Sequence, residues 1–215
     1  AGIRPWHSNT TSGVDSILAT WIDYDNDGFP DLIMGKTLYH NVGGQRFEDV
    51  TEASGLKVHY DPMGAAIADY DGDGLLDIYI LYQHTEHSRG VQGEGWVGDN
   101  LSGTENSLWK NMGGGRFMDV TSSTATAGGP RRSFAATWFY ADEDHHPDLY
   151  VANDFGHNVL LLNDAKGDFK SAREDSGVAD YSTSMGVATG DLNNDGDLEI
   201  YVANMYSKMG LRIMA

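Results

Sequence analysis

The chain has 215 residues and a formal net charge of −18 at pH 7, from 32 Asp and Glu against 14 Lys and Arg. This charge argues against a nucleic-acid or anionic-membrane partner, because phosphate binding needs positive charge. The lack of Cys excludes disulfide, zinc-thiolate and cysteine-nucleophile chemistry. Hydrophobic residues make up 40%, enough for a folded core, and no apolar run approaches the roughly 20 residues that a membrane-spanning helix needs.

Four acidic loops of nine positions recur along the chain and begin at Asp23, Asp69, Tyr140 and Asp191. Short runs of small and apolar residues precede the loops, and aliphatic, β-branched or aromatic runs follow them. This pattern predicts a strand on each side of every loop. The predicted strand pairs are 18–22 with 32–34, 64–68 with 78–81, 135–139 with 149–151, and 186–190 with 200–202.

A second marker follows the first three loops, an Asn with a Phe six positions later. A predicted third strand leads into each Asn, a glycine-rich hairpin turn follows, and a fourth strand such as 47–51 begins at the Phe. The distance from each Phe to the next loop is nearly constant. The second unit carries an insertion between Gln83 and Glu105. The markers are Asn41 with Phe47, Asn111 with Phe117, and Asn163 with Phe169.

Repeated units of four antiparallel strands predict an all-β fold, a β-propeller, rather than a sandwich or solenoid. We expect residues 1–215 to form a single β-propeller domain or a fragment of one. The predicted blades are about 16–51, 63–121, 133–172 and 184–206. The fourth unit lacks the Asn-to-Phe marker, so about three and a half blades are present. Because an open stack exposes strand edges and an apolar face, we expect further chain or a partner subunit to complete the propeller.

Carboxylates at alternate loop positions repel one another strongly unless a cation lies between them. Calcium takes about six to eight oxygen ligands, and each loop offers side chains at positions 1, 3, 5 and 9 and a carbonyl at position 7. We therefore expect about three Ca²⁺ sites. The predicted ligands are Asp23, Asp25, Asp27, Phe29 (carbonyl) and Asp31; Asp69, Asp71, Asp73, Leu75 (carbonyl) and Asp77; and Asp191, Asn193, Asp195, Asp197 (carbonyl) and Glu199.

Two alternatives to these calcium loops were weighed. An EF-hand needs a Glu at position 12, where this chain has Met34, Ile80 or Val202. A solvated turn explains one acidic loop but explains three matches in register less well. In the third loop Tyr140 replaces the first ligand and His145 replaces the Gly at position 6, so there we predict a blade turn without an ion.

Segments 64–74 and 111–121 resemble the FG-GAP/VCBS repeats, the calcium-binding propeller blades also seen in integrin α chains. More narrowly, segments 47–55, 185–188 and 204–207 resemble the ASPIC/UnbV group, which includes cartilage acidic protein-like chains. The resemblance covers about residues 16–206. It implies a secreted, periplasmic or cell-surface protein, which agrees with calcium sites of modest affinity that fill only near millimolar calcium.

Two classes of function remain open from the sequence. The favoured one is a calcium-stabilised propeller that binds or assembles with a protein or carbohydrate partner. The alternative is a carbohydrate-active enzyme, a polysaccharide lyase or hydrolase. No acid/base pair stands apart from the loops, so no catalytic residue is predicted.

The insertion is a further candidate for recognition, because long loops on rigid scaffolds often carry binding residues. It contains His84, Glu86, His87 and Trp96, whose spacing matches no zinc motif. We expect Trp21, Trp109 and Trp138 to pack within or between blades.

Overall fold

The computed structural model describes residues 18–83, 101, 103–164, 166–172 and 177–205. In these ranges the chain forms fourteen strands and two single-turn helices, which confirms the all-β prediction. Most of the insertion, with its His and Trp candidates, lies outside the described residues. Within the described ranges, neither helix has the length or hydropathy that a membrane crossing requires.

The first two blades are separate four-stranded antiparallel sheets with the strands in chain order. Blade 1 consists of β1 (Ala19–Ile22), β2 (Asp31–Met34), β3 (Thr37–Val42) and β4 (Arg46–Asp49). Blade 2 consists of β5 (Pro62–Ala68), β6 (Asp77–Tyr82), β7 (Ser107–Asn111) and β8 (Phe117–Asp119). The strands of these two sheets lie within residues 19–49 and 62–119.

The third and fourth blades share one strand. Blade 3 consists of β9 (Ser133–Phe139), β10 (Asp148–His157), β11 (Val159–Asn163) and β12 (Phe169–Ser171). Blade 4 is the pair β13 (Tyr181–Gly190) and β14 (Glu199–Asn204). The end of β10 continues past its own blade and pairs with the start of β13, where Asp154 faces Thr183. The two blades are therefore hydrogen-bonded into one sheet.

The first strands of the blades lie next to one another in the order β1, β5, β9 and β13. This is the arrangement expected around a propeller axis, and it explains the small residues before each loop. A Cβ placed on Gly64 of β5 would lie 3.4 Å from Leu81 and 3.7 Å from the carbonyl oxygen of Phe134 in β9. Small residues thus allow neighbouring inner strands to approach closely.

The hydrophobic core lies between blades rather than within one. Ile33 and Leu38 of blade 1 pack with Ile78 and Ile80 of blade 2 in one cluster. Two more clusters join blade 2 to blade 3 and blade 3 to blade 4. Blades 2 and 3 are consequently apolar on both faces, as a layer covered on two sides requires.

Two short helices follow the fourth strands of blades 1 and 2, and the sequence analysis missed both. They are α1 (Thr51–Ser54) and α2 (Thr121–Thr124). The prediction that the fourth strand of blade 1 runs to Thr51 was wrong: it ends at Asp49, whose Oδ1 accepts from the N–H of Thr51 at 3.2 Å and from its hydroxyl at 2.8 Å. The hydroxyl oxygen in turn accepts the N–H of Leu38 at 2.9 Å, so these side chains turn the strand into the helix.

Candidate metal centre

The acidic loops connect the first two strands of each blade. Each loop curls because its own carboxylates accept backbone N–H groups. Asp69 accepts from Asp73 at 3.0 Å and from Gly74 at 2.8 Å. The turn needs a left-handed backbone at position 6, and Gly74 has a φ of +86°. The first carboxylates of the other loops with this arrangement are Asp23 and Asp191.

The carboxylate at position 9 is buried in the first three loops. Asp77, which is 1% exposed, accepts the N–H of Tyr70 on Oδ2 at 3.2 Å and the N–H of Asn111 on Oδ1 at 2.7 Å. Asp31 and Asp148 make the same two bonds in the first and third loops. The acid therefore joins its loop to the third strand of the blade.

Burial raises the pKa of Asp77 to about 7, because desolvation outweighs the two backbone N–H groups that favour the carboxylate. The nearby charges of Asp71 and Asp73 raise it further. Burial also raises the pKa of Asp31 and of Asp148. A charged acid at position 9 is thus unfavourable unless positive charge lies close to it.

Carboxylates in two of the loops converge closely enough to share an ion. Each set of three has ligand oxygens within 4.8 Å of one another. The sets are Asp23, Asp25 and Asp27 in the first loop and Asp69, Asp71 and Asp77 in the second. In the second loop, the buried Oδ1 of Asp71 has no hydrogen-bond partner among the described residues. An all-oxygen donor set with an unpaired oxygen fits calcium, which prefers oxygen ligands at about 2.3–2.6 Å.

The carbonyls predicted at position 7 lie directly after a turn made by the carboxylate at position 5. The N–H of Phe29 donates to Asp27 at 2.8 Å, and the N–H of Leu75 donates to Asp73 at 3.0 Å. The N–H of Asp197 makes the same bond in the fourth loop, at 2.9 Å. Ligation by these carbonyls stays a prediction.

The third loop keeps the turn but lacks the first carboxylate. Asp144 still accepts the N–H of His146 at 2.8 Å, and His145 has a left-handed φ of +63° at the position of the Gly. Tyr140, at position 1, is exposed. Among the described residues, this loop contains no convergent set of three metal-ligating side chains. That it holds no ion stays a prediction.

The fourth loop differs from the first two, although it has the same spacing. Nδ2 of Asn193 donates to Asp195 at 2.9 Å and to Glu199 at 3.1 Å. Oε2 of Glu199 accepts the N–H of Leu192 at 2.7 Å, which reproduces part of the position-9 arrangement. The amide of Asn193 therefore links Asp195 to Glu199 in this loop. Among the described residues, the fourth loop has no set of three carboxylates within 4.8 Å of one another.

Sequence analysis missed the residue directly before each marker Asn. In blade 1 this residue is His40, whose Nδ1 lies 3.1 Å from Oδ1 of Asp31 and 3.4 Å from Oδ2 of Asp25. These three side chains form a further set with ligand atoms within 4.8 Å. The signal that could have identified His40 is its position directly before the marker Asn. It lies on β3, which pairs with β2, the strand that follows the acidic loop.

In blade 2 the corresponding residue is Lys110. Its Nζ forms ion pairs with Asp71 and, at 3.1 Å, with Oδ2 of Asp73. Desolvation lowers the pKa of Lys110, but the hydrogen bonds and charges of the two carboxylates outweigh it and leave the pKa above its ordinary value. In blade 3 the same position is occupied by Leu162.

The marker Asn residues connect neighbouring blades. Nδ2 of Asn111 donates to the carbonyl oxygen of Tyr24 in the first loop at 2.7 Å, and Nδ2 of Asn163 donates to that of Tyr70 in the second loop at 2.8 Å. The marker Phe residues pack on the same tyrosines, with ring centroids 5.9 Å apart for Tyr24 and Phe117. The marker thus binds each blade to the loop of the blade before it.

The sheets and their loops define a series of β-propeller blades with acidic loops between the first two strands. The FG-GAP-like repeat family matches residues 23–80 and 141–202, more than half of the chain. The first match contains the first two loops, and the second contains the fourth loop and all of the third except Tyr140. The chain therefore belongs to the FG-GAP-like repeat family. A sequence search of curated proteins gave no match.

Proposed function

We propose that the chain is a calcium-stabilised propeller module that acts in binding or assembly outside the cytoplasm. The observation that carries the proposal is the second loop, where Asp69, Asp71 and Asp77 converge within 4.8 Å and Oδ1 of Asp71 lacks a partner among the described residues. Calcium, when bound, supplies positive charge beyond the single charge of Lys110, which pairs with Asp71 and Asp73. The loops starting at Asp23 and Asp191 have the same spacing and are the other two proposed sites.

The location and the narrower family are part of the same proposal. FG-GAP-like loops of modest affinity fill only where calcium is near millimolar, as it is outside the cytoplasm. We therefore place the protein among secreted, periplasmic or cell-surface proteins. Membership of the ASPIC/UnbV group is supported by segment 47–55. Within this segment the Asp49–Thr51 contact turns the strand into α1.

Assembly is supported by the face of blade 4 that points away from blade 3. Tyr201 is 67% exposed, whereas the residues at its position in blades 2 and 3, Tyr79 and Tyr150, are 0% and 2% exposed. Tyr79 and Tyr150 donate their hydroxyls at 2.8 Å to carbonyls in the segment that leads to the next blade. Leu192, at the loop position of Tyr24 and Tyr70, is also exposed.

Among the residues that the structure describes, the opposite face of blade 1 lacks a neighbour of the same kind. Trp21 packs on Phe47 just as Trp138 packs on Phe169, but Trp138 also stacks on Tyr70 of the preceding blade. Trp21 packs within blade 1, as expected, but it is 59% exposed because no described residue of a further blade covers it. We propose that both faces receive a further FG-GAP-type blade, from additional chain or from a partner subunit.

Calcium binding is tested by thermal unfolding with calcium and with chelator. A site filled at about 100 times its dissociation constant adds about 2.7 kcal/mol to the free energy of unfolding. We expect Asp27→Ala and Asp73→Ala to lose part of the calcium-dependent rise in melting temperature. Asp144→Ala, the matched change in the third loop, should keep it. An unchanged response in the first two variants, or a large loss in the third, would contradict the proposal.

A further inference from the structure

The position before the marker Asn carries a different side chain in each blade that has the marker. In blade 2 it is Lys110, which is partly buried and reaches from β7 into the second loop. Its Nζ pairs with Asp71 and Asp73, the carboxylates at positions 3 and 5 of the proposed calcium site. A permanent positive charge of the chain itself therefore stands among the proposed ligands.

Among the described residues, the first loop has no such permanent charge. His40 takes the equivalent position, and its Nδ1 lies near Asp25 and Asp31. Histidine is not a permanently charged side chain, so among the described residues the four carboxylates of the first loop have no fixed counter-ion, whereas the second loop contains one. Two loops with the same acidic spacing thus differ in how much positive charge they still lack.

We propose that Lys110 is a tethered cation that competes with calcium for the second loop and makes it a weaker calcium site than the first. This inference rests on the proposed function, calcium binding at the loops. An ammonium and a calcium ion within about 4 Å repel each other strongly in a partly buried site. Calcium must therefore displace Nζ from Asp71 and Asp73 before these carboxylates bind it.

The inference also concerns the protein at low calcium. With Lys110 in place, one carboxylate charge of the second loop is balanced without an ion. Among the described residues, the first loop has no permanently charged side chain at the equivalent position. We therefore expect the second loop to bind calcium only at concentrations higher than those that fill the first loop.

The experiment is calorimetric titration of calcium chloride into the full chain at fixed ionic strength. Lys110→Met should tighten one calcium site by at least about tenfold, which corresponds to about 1.4 kcal/mol. Lys110→Arg keeps the charge and should bind calcium like the parent. Lys36→Met is the matched control, because Lys36 pairs with Asp61 at 3.2 Å outside the acidic loops.

A second measurement on the parent protein needs no variant to fold. Acetylation of lysines, mapped by mass spectrometry, should be slow at Lys110 without calcium and several-fold faster at saturating calcium. The rate at Lys36 should not change with calcium. Equal protection of Lys110 in both conditions would overturn the inference, as would unchanged or weaker calcium binding in Lys110→Met.

Failure of the underlying calcium proposal looks different. In that case neither the parent nor Lys110→Met binds calcium, and Asp27→Ala titrates like the parent. If the parent binds calcium, and Asp27→Ala weakens this binding while Lys110→Met leaves every site unchanged, only the role of Lys110 is wrong.

Discussion

At the scale of single residues, the acid at position 9 has a role that does not depend on an ion. Asp148 is buried in the third loop, which lacks the first carboxylate, and still accepts the N–H groups of Ala141 and Asn163. The same two bonds hold Asp31 and Asp77 in the first two loops. A residue predicted as a ligand is thus also a connection between the loop and the third strand.

The raised pKa of Asp77 predicts how stability depends on pH without calcium. The folded-state pKa is about 7 and the ordinary value is 3.8, so between these values the folded state binds more protons than the unfolded state. The free energy of unfolding should therefore fall as the pH rises from about 4 to about 7. Because calcium favours the carboxylate, its stabilising effect should be larger at pH 8 than at pH 5.

Denaturant unfolding of the metal-free protein at several pH values between about 4 and about 7 measures how steeply the free energy of unfolding changes with pH. Asp77→Asn should reduce this pH dependence in part, because position 77 no longer titrates. This expectation does not depend on how the substitution changes the stability at a single pH. Burial raises the pKa of Asp31 and Asp148 as well, so some slope should remain. A slope identical to that of the parent would show that Asp77 ionises normally in the folded protein.

At the scale of the elements, the marker Asn explains how one blade recognises the next. Nδ2 of Asn163 donates both to Tyr70 of blade 2 and, at 3.2 Å, to Pro147 of its own loop. One side chain thus satisfies two backbone carbonyls at the junction between two sheets. Gly167 allows this closeness, because a Cβ there would lie 3.3 Å from the ring of Tyr70.

Replacement of a marker Asn should lower the free energy of unfolding strongly only where the Asn side chain bonds to a neighbouring blade. Asn163→Ala leaves the carbonyls of Tyr70 and Pro147 without this donor, and we expect it to lower the free energy of unfolding by about 2–3 kcal/mol. Asn41→Ala is the matched control, since Nδ2 of Asn41 donates to Pro30 at a more exposed site and crosses to no other described blade. Urea unfolding of both variants measures the difference, and equal losses would refute a bridging role.

At the scale of the whole molecule, the stacking of apolar layers leaves two faces without a neighbour among the described residues. Each cluster of the core needs two blades, and blade 4 presents Tyr201 and Leu192 to solvent. Exposed apolar patches of this kind mark sites of association. Assembly with a further blade is therefore a consequence of the same packing that builds the core.

Association through blade 4 can be measured on the 23.4 kDa chain itself. We expect it to self-associate in sedimentation experiments, because no other blade of the described part of the chain covers this face. Tyr201→Ser should reduce the association, and Tyr140→Ser, a change of an exposed Tyr in the third loop, should leave it unchanged. A stable monomer that binds no apolar dye would contradict the proposed use of this face.

The sequence by itself determined the features that depend on near neighbours in the chain. Loop spacing, the glycine-rich hairpins and the alternation of strands are local, so the blades 19–49, 62–119 and 133–171 could be read from periodicity. The convergence of carboxylates in the first two loops could be read in the same way, because a nine-position loop brings its own carboxylates together. The two single-turn helices could not be predicted in this way, because contacts such as Asp49–Thr51 interrupt a pattern that otherwise continues as a strand.

Only the tertiary structure decided which groups face one another across blades. Asn163 and Tyr70 are 93 positions apart and Asn111 and Tyr24 are 87 apart, too far for any local pattern to relate them. The ion pairs of Lys110 likewise depend on the pairing of β7 with β6. The insertion separates these two strands in the sequence, so their register cannot be predicted from its length. Local spacing determines loop chemistry, whereas burial, pKa and blade contacts arise only when distant strands pack together.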